Sequence, residues 1–256
     1  MRIKLLSLCF AFIATSCSCV SIMQSINGDG DVVKINREIT NFDHIKAEMG
    51  LTVYLIPDEK EYIVVEADKN LHPEILTVLE GNTLRIYSQK SIRSAKAKNI
   101  HVHYVSLKRI DSSSGAFVQS TSAIESSDIQ LSTSSGSRHD VEIIATNVNV
   151  SASSGSRQEI EITAGNFNAD VSSGASISAK GKSKFADLQA SSGASFRGDF
   201  KTDACTANVS SGASIHFEVI TKLQAKASSG GSIRYSGKPA DTSVNTSSGG
   251  SIRTMN

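Results

Sequence analysis

The segment Asn166-Phe167-Asn168-Ala169-Asp170-Val171-Ser172-Ser173-Gly174-Ala175-Ser176-Ile177-Ser178 decides the fold. Three, five and seven residues before Gly174 stand Val171, Ala169 and Phe167, with Asp170 and Asn168 between them. Three residues after it stands Ile177. A period of two is the mark of a strand, and the apolar parity faces inward. The same offsets hold Ala152, Val150 and Val148 before Gly155, Val209, Ala207 and Cys205 before Gly212, and Ala227, Ala225 and Leu223 before Gly230. Beyond the glycine the inward column continues with Val118, Ile177, Phe196, Ile215, Ile233 and Ile252. His139 and Gln158 interrupt it, and the pattern resumes at Val141, Ile143, Ile160 and Ile162.

Ser-Ser-Gly recurs with its glycine at 115, 136, 155, 174, 193, 212, 230 and 249, at spacings of 21, 19, 19, 19, 19, 18 and 19. So steady a period marks an all-β parallel β-helix, or solenoid, and eight coils at about 4.8 Å make a rod of about 38 Å. The expected coil is a strand, a bend at Ser-Ser-Gly, a second strand and a short return loop. Thr163-Ala164-Gly165-Asn166, Lys201-Thr202-Asp203-Ala204 and Lys238-Pro239-Ala240-Asp241 are the candidate loops. The deletion between Gly212 and Gly230 is expected inside one. Parity continued through the bend points the second serine and the residue after Gly inward. A ladder of serine hydroxyls is therefore expected at the corner.

Composition agrees with thin coils. The chain has 256 residues, 39% hydrophobic but only 5% aromatic, with no Trp and a formal charge of +1. Such small side chains suit a core shared between neighbouring coils, and the charge gives no reason to expect nucleic acid as a partner.

Met1-Arg2-Ile3-Lys4 and the apolar run Leu5–Ile13 read as a signal peptide. Ala14-Thr15-Ser16-Cys17 follows as a lipobox-like site, so residues 1–17 are expected to end at a lipidated Cys17, with Cys19 as the alternative. An ordinary cleaved secretory signal is the plainer reading. Cys205 is the single cysteine in the body of the chain, which leaves no internal disulfide. Residues 18–31 are expected to be a flexible tether, 32–108 a β-rich capping region with a helical turn near Leu71–Leu76, and 109–256 the coils, continuous with it. Val20-Ser21-Ile22-Met23 carries no early acidic run, which favours the periplasmic face of the outer membrane over the cell surface.

No serine pair has a His or carboxylate at a constant offset, so no catalytic residue is expected. His101 and His103 share a strand face but lack a further ligand, and Asn27-Gly28-Asp29-Gly30-Asp31 lacks the downstream Glu of a calcium loop. Neither metal nor cofactor is expected. Four residues after each glycine, on the outward parity, run Asp140, Glu159, Ser178, Arg197, His216, Arg234 and Arg253. The basic part, Arg197, His216, Arg234 and Arg253, is a candidate binding column. Its plainer role is to discourage sheet growth at the last coils.

Phe42-Asp43-His44-Ile45, Leu51-Thr52-Val53-Tyr54-Leu55, Val65-Glu66-Ala67-Asp68-Lys69-Asn70, Gly81-Asn82-Thr83-Leu84-Arg85-Ile86 and the Ser-Ser-Gly series resemble the putative auto-transporter adhesin, head GIN domain proteins of Bacteroidetes-type bacteria. The resemblance spans residues 30–256 and implies a β-helix-like fold and an envelope location. It carries no functional residues. The expected function is a non-enzymatic envelope lipoprotein, presenting β faces to a glycan or envelope protein. A polysaccharide lyase or hydrolase on the same scaffold is the alternative. Weak self-association through the last coil is also expected, because Ile233 and Ile252 lie at its edge.

Overall fold

The computed structural model describes residues 24–255; the leader, Cys17 and Cys19 lie outside the described residues. The coils are built from β10 onward, and nine strands precede them. These are β1 (Ser25–Asn27), β2 (Val32–Arg37), β3 (His44–Ala47), β4 (Thr52–Pro57), β5 (Tyr62–Asp68), β6 (Ile75–Glu80), β7 (Thr83–Ser88), β8 (Ser91–Ser94) and β9 (Lys98–Tyr104). The coil strands are β10 (Arg109–Ser112), β11 (Phe117–Ser120), β12 (Ile124–Thr133), β13 (Arg138–Ala152), β14 (Arg157–Val171) and β15 (Ser176–Ala190). They continue as β16 (Ser195–Arg197), β17 (Phe200–Val209), β18 (Ser214–Ala227), β19 (Ser232–Ser236), β20 (Asp241–Thr246) and β21 (Ser251–Thr254).

The central coils show why the period is 19. Strands β13, β14 and β15 are each 15 residues long, and each is joined to the next by a four-residue corner such as Ser153-Ser154-Gly155-Ser156. They pair in parallel with a constant 19-residue offset, Val141 on Ile160 on Ala179 and Val150 on Ala169 on Leu188. The solenoid expected from the sequence is therefore present.

The corner differs from expectation. The second serine of every Ser-Ser-Gly is left-handed, with φ between 48° and 54°, and the glycine follows at φ 68° to 76°. An N–H donates back across the turn, Ala175 to the Ser172 carbonyl at 3.0 Å. Two positive φ values and this bond are the type I′ pattern, which reverses a twisted strand without splaying it. The turn spends two residues outside the pleat, so Ser173 is exposed, not inward, while Ala175 is buried as expected. The corner ladder belongs to the backbone: Gly174 N–H donates to Ser192 O at 3.0 Å and Gly155 N–H to Ser173 O at 3.1 Å. Hydroxyls join only where serine follows the glycine, Ser137 Oγ to Ser112 O and Ser156 Oγ to Thr133 O.

The return loop also differs. In β14 the buried residues alternate from Gln158 to Ala164 and again from Phe167 to Val171, with Gly165 and Asn166 both facing outward between them. That bend sits inside a continuous ladder, because Ala145 pairs Ala164 and Asn147 pairs Asn166 while Gly165 is skipped. Coils that bend at the same place need no loop. Lys201–Ala204 is likewise strand, and of the three candidate loops only Lys238–Ala240 leaves the ladder. The deletion after Gly212 splits in two. The offset is 19 at Phe196–Ile215, 17 at Thr202–Val219 and 18 at Cys205–Leu223. Losing two residues keeps Val219 inward, and the one regained is absorbed at a bend.

Small and large core residues interlock across coils. Ala186 lies over Phe167. The space it leaves lets Phe167 and Phe200 meet with ring centroids 5.1 Å apart, and Phe196 closes the cluster at 5.9 Å from Phe200. His139 and Gln158 occupy inward positions and are fully buried. Gln158 Nε2 donates to Thr133 Oγ1 and Ser151 O, whereas both ring nitrogens of His139 lack a partner.

The capping region breaks sequence order. Strands β3 and β4 form a coil of their own, stacked in parallel on β10 and β11, with Ile45 on Ile110 and Val53 on Val118. Met49 and Gly50 give it the same corner, φ 62° and 67°, and Gly50 N–H donates to Ser114 O. The next layer comes from later in the chain, β7 beside β3 and β9 beside β4, both parallel. The direction then reverses: β6 pairs β7, β5 pairs β9 and β2 pairs β5, all antiparallel. The helical turn is a 3-10 turn at Lys69–Leu71, shorter than and just ahead of the one expected.

The stretch expected as a tether is anchored from β1 onward. Strand β1 pairs β8, and the buried Asp68 carboxylate accepts N–H bonds from Gly30, Lys96 and Ala97.

Candidate functional site

Two broad faces and one groove are available. On the first face, outward from the strands after each corner, Asp140, Glu159, Ser178 and Arg197 stand in register, as do His216, Arg234 and Arg253. The acid-to-base column is therefore real. Arg197, His216, Arg234 and Arg253 are all exposed. Glu159 is engaged by Arg138 at 2.9 Å, and among the described residues no carboxylate pairs with the four basic members. Like charges one strand apart repel, so this column has unspent electrostatic attraction for an anion.

Toward the cap, the same surface becomes aromatic. Tyr54 stacks on His101 at 5.2 Å and Tyr62 on His103 at 3.9 Å. His101 Nε2 lies 3.0 Å from Glu66, and His103 Nδ1 lies 2.9 Å from Asp58. The two histidines are thus partnered separately, each by a carboxylate and a tyrosine. Their hydrogen bonds hold the Glu66 and Asp58 carboxyls below the ordinary carboxylate range. Among the described residues there is no cluster of three or more His, Cys, Asp or Glu placed to hold a metal.

The second face is outward from the strands before each corner. Its columns sit four, six and eight residues ahead of each glycine. One runs Gln130, Asn149, Asn168, Asp187, Thr206, Gln224 and Ser243. The next runs Asp128, Asn147, Asn166, Phe185, Ala204, Lys222 and Asp241. Side-chain amides link coil to coil, Asn147 to Asp128 at 2.7 Å, Asn166 to Asn147 at 2.7 Å and Asn168 to Asn149 at 2.9 Å. Phe185 ends the amide ladder and is 59% exposed. Beside it lies a depression of about 350 Å³, walled by Asn168, Asp187, Thr206 and Gln224 and floored by the small Ala204. Cys205 lies on the inward side there, buried, with its thiol pushed up by desolvation and then by Asp187, so it is no nucleophile at neutral pH.

Sequence reading followed inward parity and missed this face, although the outward letters were spelled at constant offsets throughout. The groove was missed for another reason. It has a volume of about 850 Å³ and lies where the turns around Asn41, Glu61 and Val105 converge on Tyr62, brought together by the reordered cap.

The sequence matches the family model "Putative auto-transporter adhesin, head GIN domain" over residues 41–197 and 156–239. No curated protein matches it in sequence. Among solved structures, a putative adhesin from Parabacteroides distasonis superposes with a TM-score of 0.84 at 17% identity, covering 91% of this chain and 100% of that one. A putative adhesin from Parabacteroides merdae gives 0.83 at 15% identity with the same coverage. A protein described as a putative lipid binding protein, also from P. distasonis, gives 0.82 at 18% identity, again covering 91% and 100%. At these identities the likeness shows a shared fold. Among the described residues no helix is long and apolar enough to cross a membrane.

Proposed function

Because the chain belongs to the putative auto-transporter adhesin, head GIN domain family, we propose that it is a non-enzymatic adhesion module of the bacterial cell envelope. One observation carries the reading: outward side chains stand in register over successive coils, forming two long polar faces. A repeating surface matches an extended partner, whereas a hydrolase or lyase needs a cleft that surrounds a scissile bond. The acidic patch of Asp140, Glu142, Glu159 and Glu161 lines a depression bordered by Ser120–Ser122, and its carboxylates stand side by side as register pairs on one sheet face, not across a cleft.

The same proposal includes export, lipidation at Cys17 with Cys19 as the alternative, and residence on the periplasmic face of the outer membrane. It is supported by the basic and apolar leader and the small residues before Cys17. The basic column Arg197, His216, Arg234 and Arg253 serves as an auxiliary anion-attracting strip. Weak self-association uses β20 and β21, where Val244 is 53% exposed and Ile252 half-buried; Ile233, expected at the exposed edge, is instead fully buried beneath β21.

The test joins fractionation to cross-linking. The native protein should partition into detergent and carry a diacylglycerol mass at Cys17. It should also cross-link to envelope material through residues on the two faces. Fractionation as a free periplasmic protein with no envelope adducts would overturn the proposal. Light scattering of wild type against Ile252→Lys tests self-association; equal masses at high concentration would remove that part.

A further inference from the structure

We propose that the amide face around Phe185 binds an uncharged polysaccharide laid along the rod axis, a pyranose ring stacking on Phe185. This deepens the adhesion reading and rests on it. Phe185 stands on a face otherwise made of amides, hydroxyls and a few charges. Its neighbours in the column are Asn166 on one side and Ala204 on the other. The alanine opens the depression of about 350 Å³ and bares the ring on that side. An exposed aromatic face beside a mainly apolar hollow with amide, hydroxyl and carboxylate groups at its rim matches a sugar, whose C–H surface is apolar and whose rim is hydroxyl.

The surrounding groups fit the rim. Asn149, Asn166 and Asn168 each spend one amide contact on a neighbouring coil. An amide has two N–H donors and two acceptor lone pairs, so each keeps capacity toward solvent. Asp187, Thr206 and Gln224 line the hollow with further acceptors and donors. Two more shallow hollows continue along the face: one includes Asn149, Asn168 and Gln189, the other Asp170, Asn208 and Lys226. Coils repeat at about 4.8 Å, close to the length of one sugar in an extended chain, so successive units meet equivalent columns.

Charge selects the class of polymer. The two columns beside the hollow and the one after them carry Asp128, Asp170, Asp187 and Asp241 against Lys222 and Lys226. A slight acidic excess disfavours anionic glycans and nucleic acids. Anionic polymers would meet the arginine column on the other face instead.

Affinity electrophoresis of the purified protein through gels containing galactomannan, xyloglucan, α-mannan or amylopectin tests the idea, with hyaluronan as the anionic comparison. At least one neutral polymer should retard the wild type. Phe185→Ala should weaken that retardation at least tenfold and Phe185→Trp should restore it. Phe185 is exposed, so the variants should fold, with wild-type circular dichroism as the check. Retardation by none of the neutral polymers, or retardation indifferent to Phe185→Ala, overturns the inference. If envelope cross-links persist in that case, the adhesion reading stands and only the choice of ligand falls.

Discussion

The cap and the coils use the same backbone ladder but hold it in place differently. In the coils each strand finds its partner one period away, and identical corners pass the register along. In the cap β3 pairs β7 and β10 but not its chain neighbours, and the outer strands run antiparallel. Among the described residues eight of the twelve salt-bridge contacts lie within the cap, two of them histidine–carboxylate contacts that are ionic only when the ring is protonated. Where repetition fixes register, serine, alanine and small aliphatics suffice. Where it does not, specific side-chain pairs supply the specificity, though exposed pairs add little stability each.

The harshest way to break the coils is Ile177→Asp. Ile177 is fully buried between Gln158 and Phe196, and an unpaired carboxylate there should cost about 5 kcal/mol or abolish folding. Urea denaturation followed by circular dichroism measures it; a loss under about 2 kcal/mol would mean that the stack yields locally. Next come two glycines seven residues apart, both at positive φ, 70° at Gly174 and 100° at Gly181. A Cβ on Gly174 meets nothing, whereas one on Gly181 lands 2.1 Å from Ile162 O. Gly174→Ala should cost about 1 kcal/mol for its left-handed φ, and Gly181→Ala about 3 kcal/mol because the preceding coil must move as well. Equal midpoints for the two variants would contradict this account of how closely the coils stack.

His139 sharpens the contrast through pH. Burial without a partner keeps it neutral down to about 3, against about 6.5 in an unfolded chain. The unfolded state takes up the proton first, so stability present above pH about 6.5 falls as pH drops toward 3. His139→Val should raise stability by about 1–2 kcal/mol and flatten that slope. In the cap, the depressed carboxyls of Glu66 and Asp58 contribute stability present above pH about 4 and lost as pH falls through their folded values. Hydrogen exchange at pH 5 should therefore loosen β13 and β14 before β5 and β9. The reverse order would sink the argument. The smallest effect belongs to Ser192→Ala, within about 0.5 kcal/mol by thermal melting. Both residues bear the same left-handed φ of 54°, and among the described residues the Ser192 hydroxyl holds no bond.

What could be read from the chain follows from the same contrast. The period, inward columns and corner positions were legible because within the coils every partner is 17 to 21 residues away. The corner's side-chain directions were not, since a type I′ turn resets the parity that was carried through Ser173. The cap's strands were legible one by one, but His44 beside Thr83 is set by packing. Its corner at Met49-Gly50 lacks the serines that flag the others. Phe185 was hidden by attention to the inward parity, although its outward column was written in plain sequence.

The constant offset also bears on how such a chain changes in length over generations. Residues 157–175 span one full turn, and their removal would join Ser156 to Ser176 at equivalent points of the path, with Arg138 left lying against Ser176. Duplicating the same stretch would add a turn with equal ease. An in-frame slip of one unit therefore lengthens or shortens the protein by about 4.8 Å and leaves both faces continuous. The length of the rod becomes a quantity that selection can adjust in single steps.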